Sequence, residues 1–165
     1  MERNIVIRDV EEKDYDFILN LNEVNVEVLS PMPMERMLWL KSMCDMFVVA
    51  EVDGEPAAFL MAIREGHPYD SENYVWFSKT YPEFLYIDRI VIDEPYRAFG
   101  LGRRLYDAVK DRARETGVKV VTCEVDTIPY NETSLKFHEA MGFKEVGEQI
   151  IRGGEIKVSL KACEL

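Results

Sequence analysis

Ile87-Asp88-Arg89-Ile90-Val91-Ile92-Asp93-Glu94-Pro95-Tyr96-Arg97-Ala98-Phe99-Gly100-Leu101-Gly102-Arg103-Arg104 is the stretch that decides the fold. It opens as an apolar run rich in β-branched residues, the mark of a buried strand. Pro95 ends the strand, because it has no N–H to give to a ladder. From Leu101 a helical stripe begins with Leu101, Leu105, Ala108, Val109 and Ala113, and Gly117 stands where a C-cap belongs. Strand, glycine turn and helix therefore follow one another with almost no spacer. Such a turn aims free backbone N–H groups and the positive end of a helix dipole at one spot, which suits a phosphate or pyrophosphate. Gly100 and Gly102 let a ligand approach the backbone, and Arg97, Arg103 and Arg104 add cations. The same glycines also fit a merely tight turn. A dinucleotide fingerprint is ruled out, since it needs a third glycine where Leu105 stands.

Outward from this stretch the order is regular. Residues 5–7 read as a short strand, and Asp9 with Glu12 has capping-box spacing for a helix whose face is Val10, Phe17, Leu21, Val24 and Val28. A second helix spans about 33–43, and strands at 46–52 and 57–63 join through Asp53-Gly54, a hairpin turn. After the central helix come a strand at 119–126 and a helix at 132–141, with Asn131 as its cap. A closing hairpin of 143–151 and 155–162 turns through Arg152-Gly153-Gly154.

Arg97-x-x-Gly100-x-Gly102 resembles the R/Q-x-x-G-x-G/A pyrophosphate loop of the GNAT superfamily of acyl-CoA-dependent N-acyltransferases. Asn131-x-x-Ser134-x-x-Phe137-His138-x-x-x-Gly142-Phe143 resembles that superfamily's N-x-x-S-x-x-F-Y-x-x-x-G-F segment. One helix and one strand separate the two elements, as the family requires. Together they cover roughly the C-terminal half, and the N-terminal half has the family's order of elements. The resemblance implies a single α/β (α+β) domain over residues 1–165. Its sheet would be mixed, mostly antiparallel and flanked by helices on both faces. It also implies acetyl-CoA as co-substrate, no metal, and direct acetyl transfer to a primary amine in a ternary complex.

Composition sets independent bounds. With 165 residues, 47% hydrophobic, the chain is large enough for one domain with a real core. No apolar run reaches the roughly 18 residues of a membrane span, and Met1-Glu2-Arg3-Asn4 lacks a signal-peptide shape. Cys44, Cys123 and Cys163 are scattered without metal-ligand spacing, which fits reduced thiols in the cytoplasm. The net charge of −11 argues against nucleic acid and anionic membrane and mildly favours a cationic acceptor; it also fits simple solubility.

Site roles follow from the resemblance. The backbone of Ile90, Val91 and Ile92 would hold pantetheine, and the amides of Arg97, Ala98, Phe99, Gly100, Leu101, Gly102 and Arg103 would take the pyrophosphate. Asn131 would bond the pantetheine through its side-chain amide, or serve only as a helix cap, and Ser134 belongs to the same cofactor motif. Asp88 shares a strand face with Ile90 and Ile92. Some members place a Glu at the matching position, where it relays an amine proton. The alternative for Asp88 is an ion pair with Arg64 or Arg89. Glu124 is the rival base and a possible amine anchor, and many members use water instead. His138 departs from the usual Tyr, the general acid for the leaving thiolate. It can donate, orient the acetyl group, or be a structural histidine with a backbone partner. Tyr130, in the loop entering that helix, is the second candidate acid.

Residues 65–83 break the pattern, first turn-rich and then aromatic. A connection of this length is usually functional or disordered, and the aromatics argue against disorder. A short helix near Trp76 is expected. Residues 66–81 are expected to wall the acceptor site, with Tyr69, Tyr74, Trp76 and Phe77 against substrate; the alternative is a flap packed on the core or on a second subunit of a homodimer. Three functions stay open: an N-acetyltransferase for a small-molecule amine, a non-catalytic acyl-CoA-binding sensor or interaction domain, and a protein N-terminal or lysine acetyltransferase. Release of free thiol with an acceptor separates catalysis from binding.

Overall fold

A computed structural model describes residues 3–26, 29–128 and 131–165. In chain order the elements are β1 (Ile5–Asp9), α1 (Tyr15–Val24), α2 (Met34–Met43), β2 (Cys44–Val52), β3 (Glu55–Arg64) and α3 (Glu72–Thr80), then β4 (Leu85–Ile92), α4 (Leu101–Glu115), β5 (Val120–Ile128), α5 (Glu132–Ala140), β6 (Lys144–Ile151) and β7 (Ile156–Glu164). The seven strands form one sheet in the order β1-β2-β3-β4-β5-β7-β6. Pairing is antiparallel for β1/β2, β2/β3, β5/β7 and β6/β7 and parallel for β4/β5, where Leu85 faces Val121 and Tyr86 faces Thr122. The mixed, mostly antiparallel α/β fold is the expected one.

The chain divides into two compact units. The first joins Met1–Ile63 with Asp88–Ala108, the second Arg64–Ile87 with Val109–Leu165. In the first, β3 is apolar from Ala57 to Ile63 without alternation, and every one of these residues is buried, as expected of a strand covered on both faces. Its hairpin with β2 closes at the expected turn, Val52 opposite Glu55. The entry to α1 differs from expectation. The Glu11 amide donates to the Asp14 carboxylate at 2.8 Å, and a short 3-10 turn, Glu12–Asp14, precedes the helix. Arg8 decides this: its guanidinium donates twice to Asp14, at 2.7 and 2.8 Å, so Asp14 rather than Glu12 turns inward. The buried stripe is Ile18, Leu21 and Asn22, while Val24, in the last turn, is 81% exposed; Val28 lies outside the described residues.

In the second unit, α5 ends as the sequence predicts: Phe143 N–H bonds the His138 carbonyl at 2.9 Å and Gly142 N–H bonds that of Glu139 at 3.0 Å. The same double bond closes α4, from Val118 to Ala113 at 2.8 Å and from Gly117 to Arg114 at 3.2 Å. The short helix expected near Trp76 is α3, whose nine residues are capped by Ser71: its hydroxyl accepts the Tyr74 amide at 3.3 Å. The helix docks on β6. Gln149 donates to Asn73 at 3.0 Å, and the Trp76 indole lies so close to Gly147 that a Cβ there would sit 2.5 Å from its Cζ2.

Candidate functional site

The glycine turn is built by local geometry. A 3-10 turn, Glu94–Tyr96, leaves β4, and Asp93 N–H ties it to the Ala57 carbonyl at 2.8 Å. Gly100 adopts φ +74°, a left-handed conformation unfavourable for any residue with a Cβ, and the space where a Cβ would stand is open. The first bond of α4 runs from Arg104 N–H to the Gly100 carbonyl at 3.3 Å. The amides of Leu101, Gly102 and Arg103 therefore precede the helical ladder and carry the positive end of its dipole. Arg97 Nε donates back to the Ile92 carbonyl at 3.3 Å, and Arg103 and Arg104 are exposed. Beside the turn, Arg3, Ile5, Phe99 and Arg104 line a cleft of about 390 Å³, with the Arg3 guanidinium 5.0 Å above the Phe99 ring. Amides, an open glycine and arginines at one helix start can hold a phosphate. On β4, Asp88, Ile90 and Ile92 share the half-buried face and Val91 the buried one, as period two requires.

Asp88 has a partner. Arg89 Nε donates to its Oδ2 at 2.8 Å, and both side chains are 4% exposed. Nη1 of Arg89 goes on to Asn22 Oδ1 at 3.0 Å and the Ser30 carbonyl at 3.3 Å, which ties β4 to α1 and to Ser30 beyond it. Of the two ion pairs foreseen, the one with Arg89 forms, while Arg64 pairs with Glu65 and Glu83. Near this pair, burial first and the Asp88 charge second push the Cys44 thiol up to about 12, so it stays protonated and is no nucleophile.

In the second unit, Tyr86, 1% exposed, donates its phenol O–H to Glu124. Asn131 caps α5 by accepting the Ser134 amide at 3.2 Å, which uses Oδ1 and leaves the Nδ2 donors outside the cap. Both readings of Asn131 are therefore compatible. His138 is 6% exposed, and its Nδ1 lies 2.7 Å from the Ser134 carbonyl, so Nδ1 carries the proton and Nε2 the lone pair. Burial holds the imidazole below the ordinary histidine range, against the opposing Ser134 bond and helped by Lys161. A neutral imidazole with this tautomer accepts at Nε2 and does not donate there. The geometry gives His138 the backbone partner of the structural alternative. Tyr130 lies outside the described residues.

The aromatic segment also needs correction. Tyr74 and Phe77 are 1% and 0% exposed, and their rings lie 5.7 and 5.8 Å from Tyr86. Tyr74 donates to the Arg64 carbonyl at 2.6 Å, and the Tyr69 ring packs against the Tyr74 ring at 5.4 Å with a tilt of 49°, itself buried. These three are core side chains, which leaves no face for a substrate; Trp76 is half-buried against Gly147. Tyr86, Arg89, Thr122 and Asp126 are site candidates that the sequence reading passed over. The signal for the last two was present in the β5 alternation of Thr122, Glu124 and Asp126 with Val121, Cys123 and Val125. Among the described residues, no three His, Cys, Asp or Glu side chains gather as a metal would need, and no helix is long and apolar enough to cross a membrane.

With the turn, the α5 cap and the strand order in place, comparison with known proteins is direct. The family model described as the acetyltransferase (GNAT) family matches residues 15–143. The chain belongs to this family. Two curated relatives are YhcX of Bacillus subtilis (strain 168), named as a hydrolase, and the L-ornithine N5-acetyltransferase NATA1 of Arabidopsis thaliana. The first is 25% identical over 162 residues, 92% of this chain and 31% of that protein. The second is 40% identical over 80 residues, 44% of this chain and 34% of that protein. The chain thus spans about a third of the length of either. Among solved structures, Ard1 from Thermoplasma volcanium aligns with a TM-score of 0.77 at 18% identity, over 98% of this chain and 97% of that one. The ribosomal-protein-S18-alanine N-acetyltransferase of Escherichia coli gives 0.68 at 17%, over 98% and 94%. The yncA protein of Salmonella typhimurium, solved with acetyl-CoA, gives 0.71 at 16%, again over 98% and 94%. At these identities the GNAT likeness is one of fold.

Proposed function

We propose that this GNAT chain is an N-acetyltransferase that moves an acetyl group from acetyl-CoA directly to the primary amine of a small molecule. The observation that carries the reading is the turn at Gly100–Arg103, where open backbone, unladdered amides and arginines suit a pyrophosphate. Bound there, acetyl-CoA would supply an activated thioester carbonyl. The chain's own residues do the rest. The amides of Leu101, Gly102 and Arg103 hold the pyrophosphate, the backbone of Ile90, Val91 and Ile92 pairs with pantetheine, and Asn131 Nδ2 donates to it. Proton handling is divided: Asp88, anchored by Arg89, takes the amine proton through water. Tyr130 supplies the proton for the departing thiolate, and His138 orients through its Nε2 lone pair. The name of the Arabidopsis relative supports a small amine acceptor, and a cytoplasmic setting suits the thiols.

Free thiol released from acetyl-CoA, measured with amines, amino acids, polyamines and peptides as acceptors, tests this. Release with small amines and not with peptides is expected, and Tyr130→Phe should slow turnover more than His138→Phe does. Gly102→Val should weaken acetyl-CoA binding about a hundredfold, because its side chain fills pyrophosphate space. Release confined to peptides would replace the small acceptor with a protein, and binding without release under any acceptor would make the chain a sensor.

A further inference from the structure

Arg3 and Ile5 at the start of β1, with Phe99 and Arg104 at the start of α4, line the cleft of about 390 Å³ beside the glycine turn. All four belong to the first unit, as the turn does. Each wall is fixed by a neighbour. Tyr96 packs edge-on against Phe99 at 5.8 Å, and the Arg3 guanidinium covers the Phe99 ring at 5.0 Å. Asp53 pairs with Arg3 at 3.2 Å and holds it there, while the Arg3 side chain stays 57% exposed. Arg3 is therefore a planar group whose charge already has a partner. Arg104 differs, being exposed and in no ion pair among the described residues. A guanidinium plane backed by an aromatic ring takes a nucleobase by stacking, and an unpaired guanidinium takes a phosphate. Two such groups at one cleft, in a chain of net charge −11, suit a nucleoside phosphate.

We propose that this cleft holds the 3′-phosphoadenosine end of CoA, with adenine on the Arg3 plane and the 3′-phosphate on Arg104. The inference rests on the acetyl-CoA reading of the preceding section and extends it from the turn to the cleft. Connectivity supports it. CoA carries its 3′-phosphate on the ribose that adjoins the pyrophosphate, and Arg104 directly follows the amides of Leu101, Gly102 and Arg103. Those amides grip any pyrophosphate, so the turn alone does not tell CoA from 3′-dephospho-CoA. Arg104 supplies the distinction. Arg3 and Ile5 precede the family-matched residues 15–143, so this wall of the cleft is the chain's own and not part of the shared motif.

Calorimetry at pH 7.5 and low salt compares CoA with 3′-dephospho-CoA, which differ only in the 3′-phosphate. Wild-type protein should bind CoA at least about tenfold more tightly, as one charged contact implies. Arg104→Gln should erase most of that preference by weakening CoA alone. Arg3→Lys keeps the charge and loses the plane. It should weaken both compounds alike, by about fivefold or more, as loss of a stacking partner implies. Added salt should shrink the wild-type preference and leave Arg104→Gln almost unaffected. Both side chains are exposed, so unchanged melting temperatures are expected of the two variants. Equal wild-type affinity for the two compounds overturns the inference and keeps the turn as the pyrophosphate site. So does a preference that survives in Arg104→Gln, and wild-type affinities in Arg3→Lys take adenine off the Arg3 plane. Binding of neither compound removes the acetyl-CoA reading itself, and this inference with it.

Discussion

Asp14 in the first unit and Asp126 in the second are both carboxylates drawn away from water, yet their surroundings differ in kind. Asp14 receives two N–H bonds from Arg8 and one from the Glu11 amide, and the Arg8 bonds hold its carboxyl below the ordinary carboxylate range. Asp126 has no such bond, and burial moves its carboxyl the other way. A charge completed from within the chain serves the fold. One left incomplete is a better guide to where a ligand belongs.

The largest expected effect breaks the complete side of this contrast. Asp14→Ala should destabilise the protein by about 3 kcal/mol, since it takes from Arg8 its most buried carboxylate partner, leaving Glu51 and Glu11, and removes the cap of the α1 entry. Urea unfolding measures it, and pH sharpens it. The folded carboxyl titrates below its unfolded value, so its stabilisation is complete above the ordinary aspartate range, near about 3.9. It is lost as pH falls through that range toward the folded value. Wild-type stability should therefore drop more steeply on acidification than that of Asp14→Asn. Parallel curves would remove Asp14 from the acid response.

A middle-sized effect tests whether α3 is a fixed part of its unit. Gly147→Ala places a methyl 2.5 Å from Trp76 Cζ2 and 2.9 Å from Cη2, so indole or strand must shift. A loss of about 2 kcal/mol with altered near-ultraviolet circular dichroism is expected. Wild-type stability in this variant would mean that α3 is not held by Trp76.

The smallest effect has the opposite sign. Asp126→Asn should stabilise the protein without ligand by about 1 kcal/mol or less at neutral pH. The folded carboxyl titrates above its unfolded value, so the wild type loses stability as pH rises from the ordinary aspartate range through the raised one. The gain of the variant should vanish under acid. A loss as large as that in Asp14→Ala would erase the distinction between the two carboxylates.

The parts of the fold legible in the sequence are those set by local backbone chemistry. Pro95 ends β4, Gly100 needs its left-handed φ, Asp53-Gly54 turns the hairpin, and Gly142 follows α5; each requirement is met by a residue type that can be read directly. Readings that depend on distant partners fared differently. The start of α1 moved because Arg8 on β1 recruits Asp14, a contact with no helical spacing to announce it. The aromatics of 66–81 suggested a substrate wall. Whether a tyrosine or phenylalanine meets ligand or core depends on the strands behind it, and Tyr86 supplies the core partner. For Asp88, the sequence offered a base or an ion pair; the pair with Arg89 forms, and it holds the carboxylate in place for the proposed base role. Asp126 was overlooked because the valines of β5 drew attention to the apolar half of its alternation.

Arg89 grips two points of unlike nature, the side chain of Asn22 in α1 and the main-chain carbonyl of Ser30 after it. The second grip is blind to what side chain position 30 carries. Sequence drift at that position is therefore expected to leave the anchorage intact, whereas Asn22 and Arg89 can change only together. The segment after α1 gains freedom to vary its surface without giving up its place.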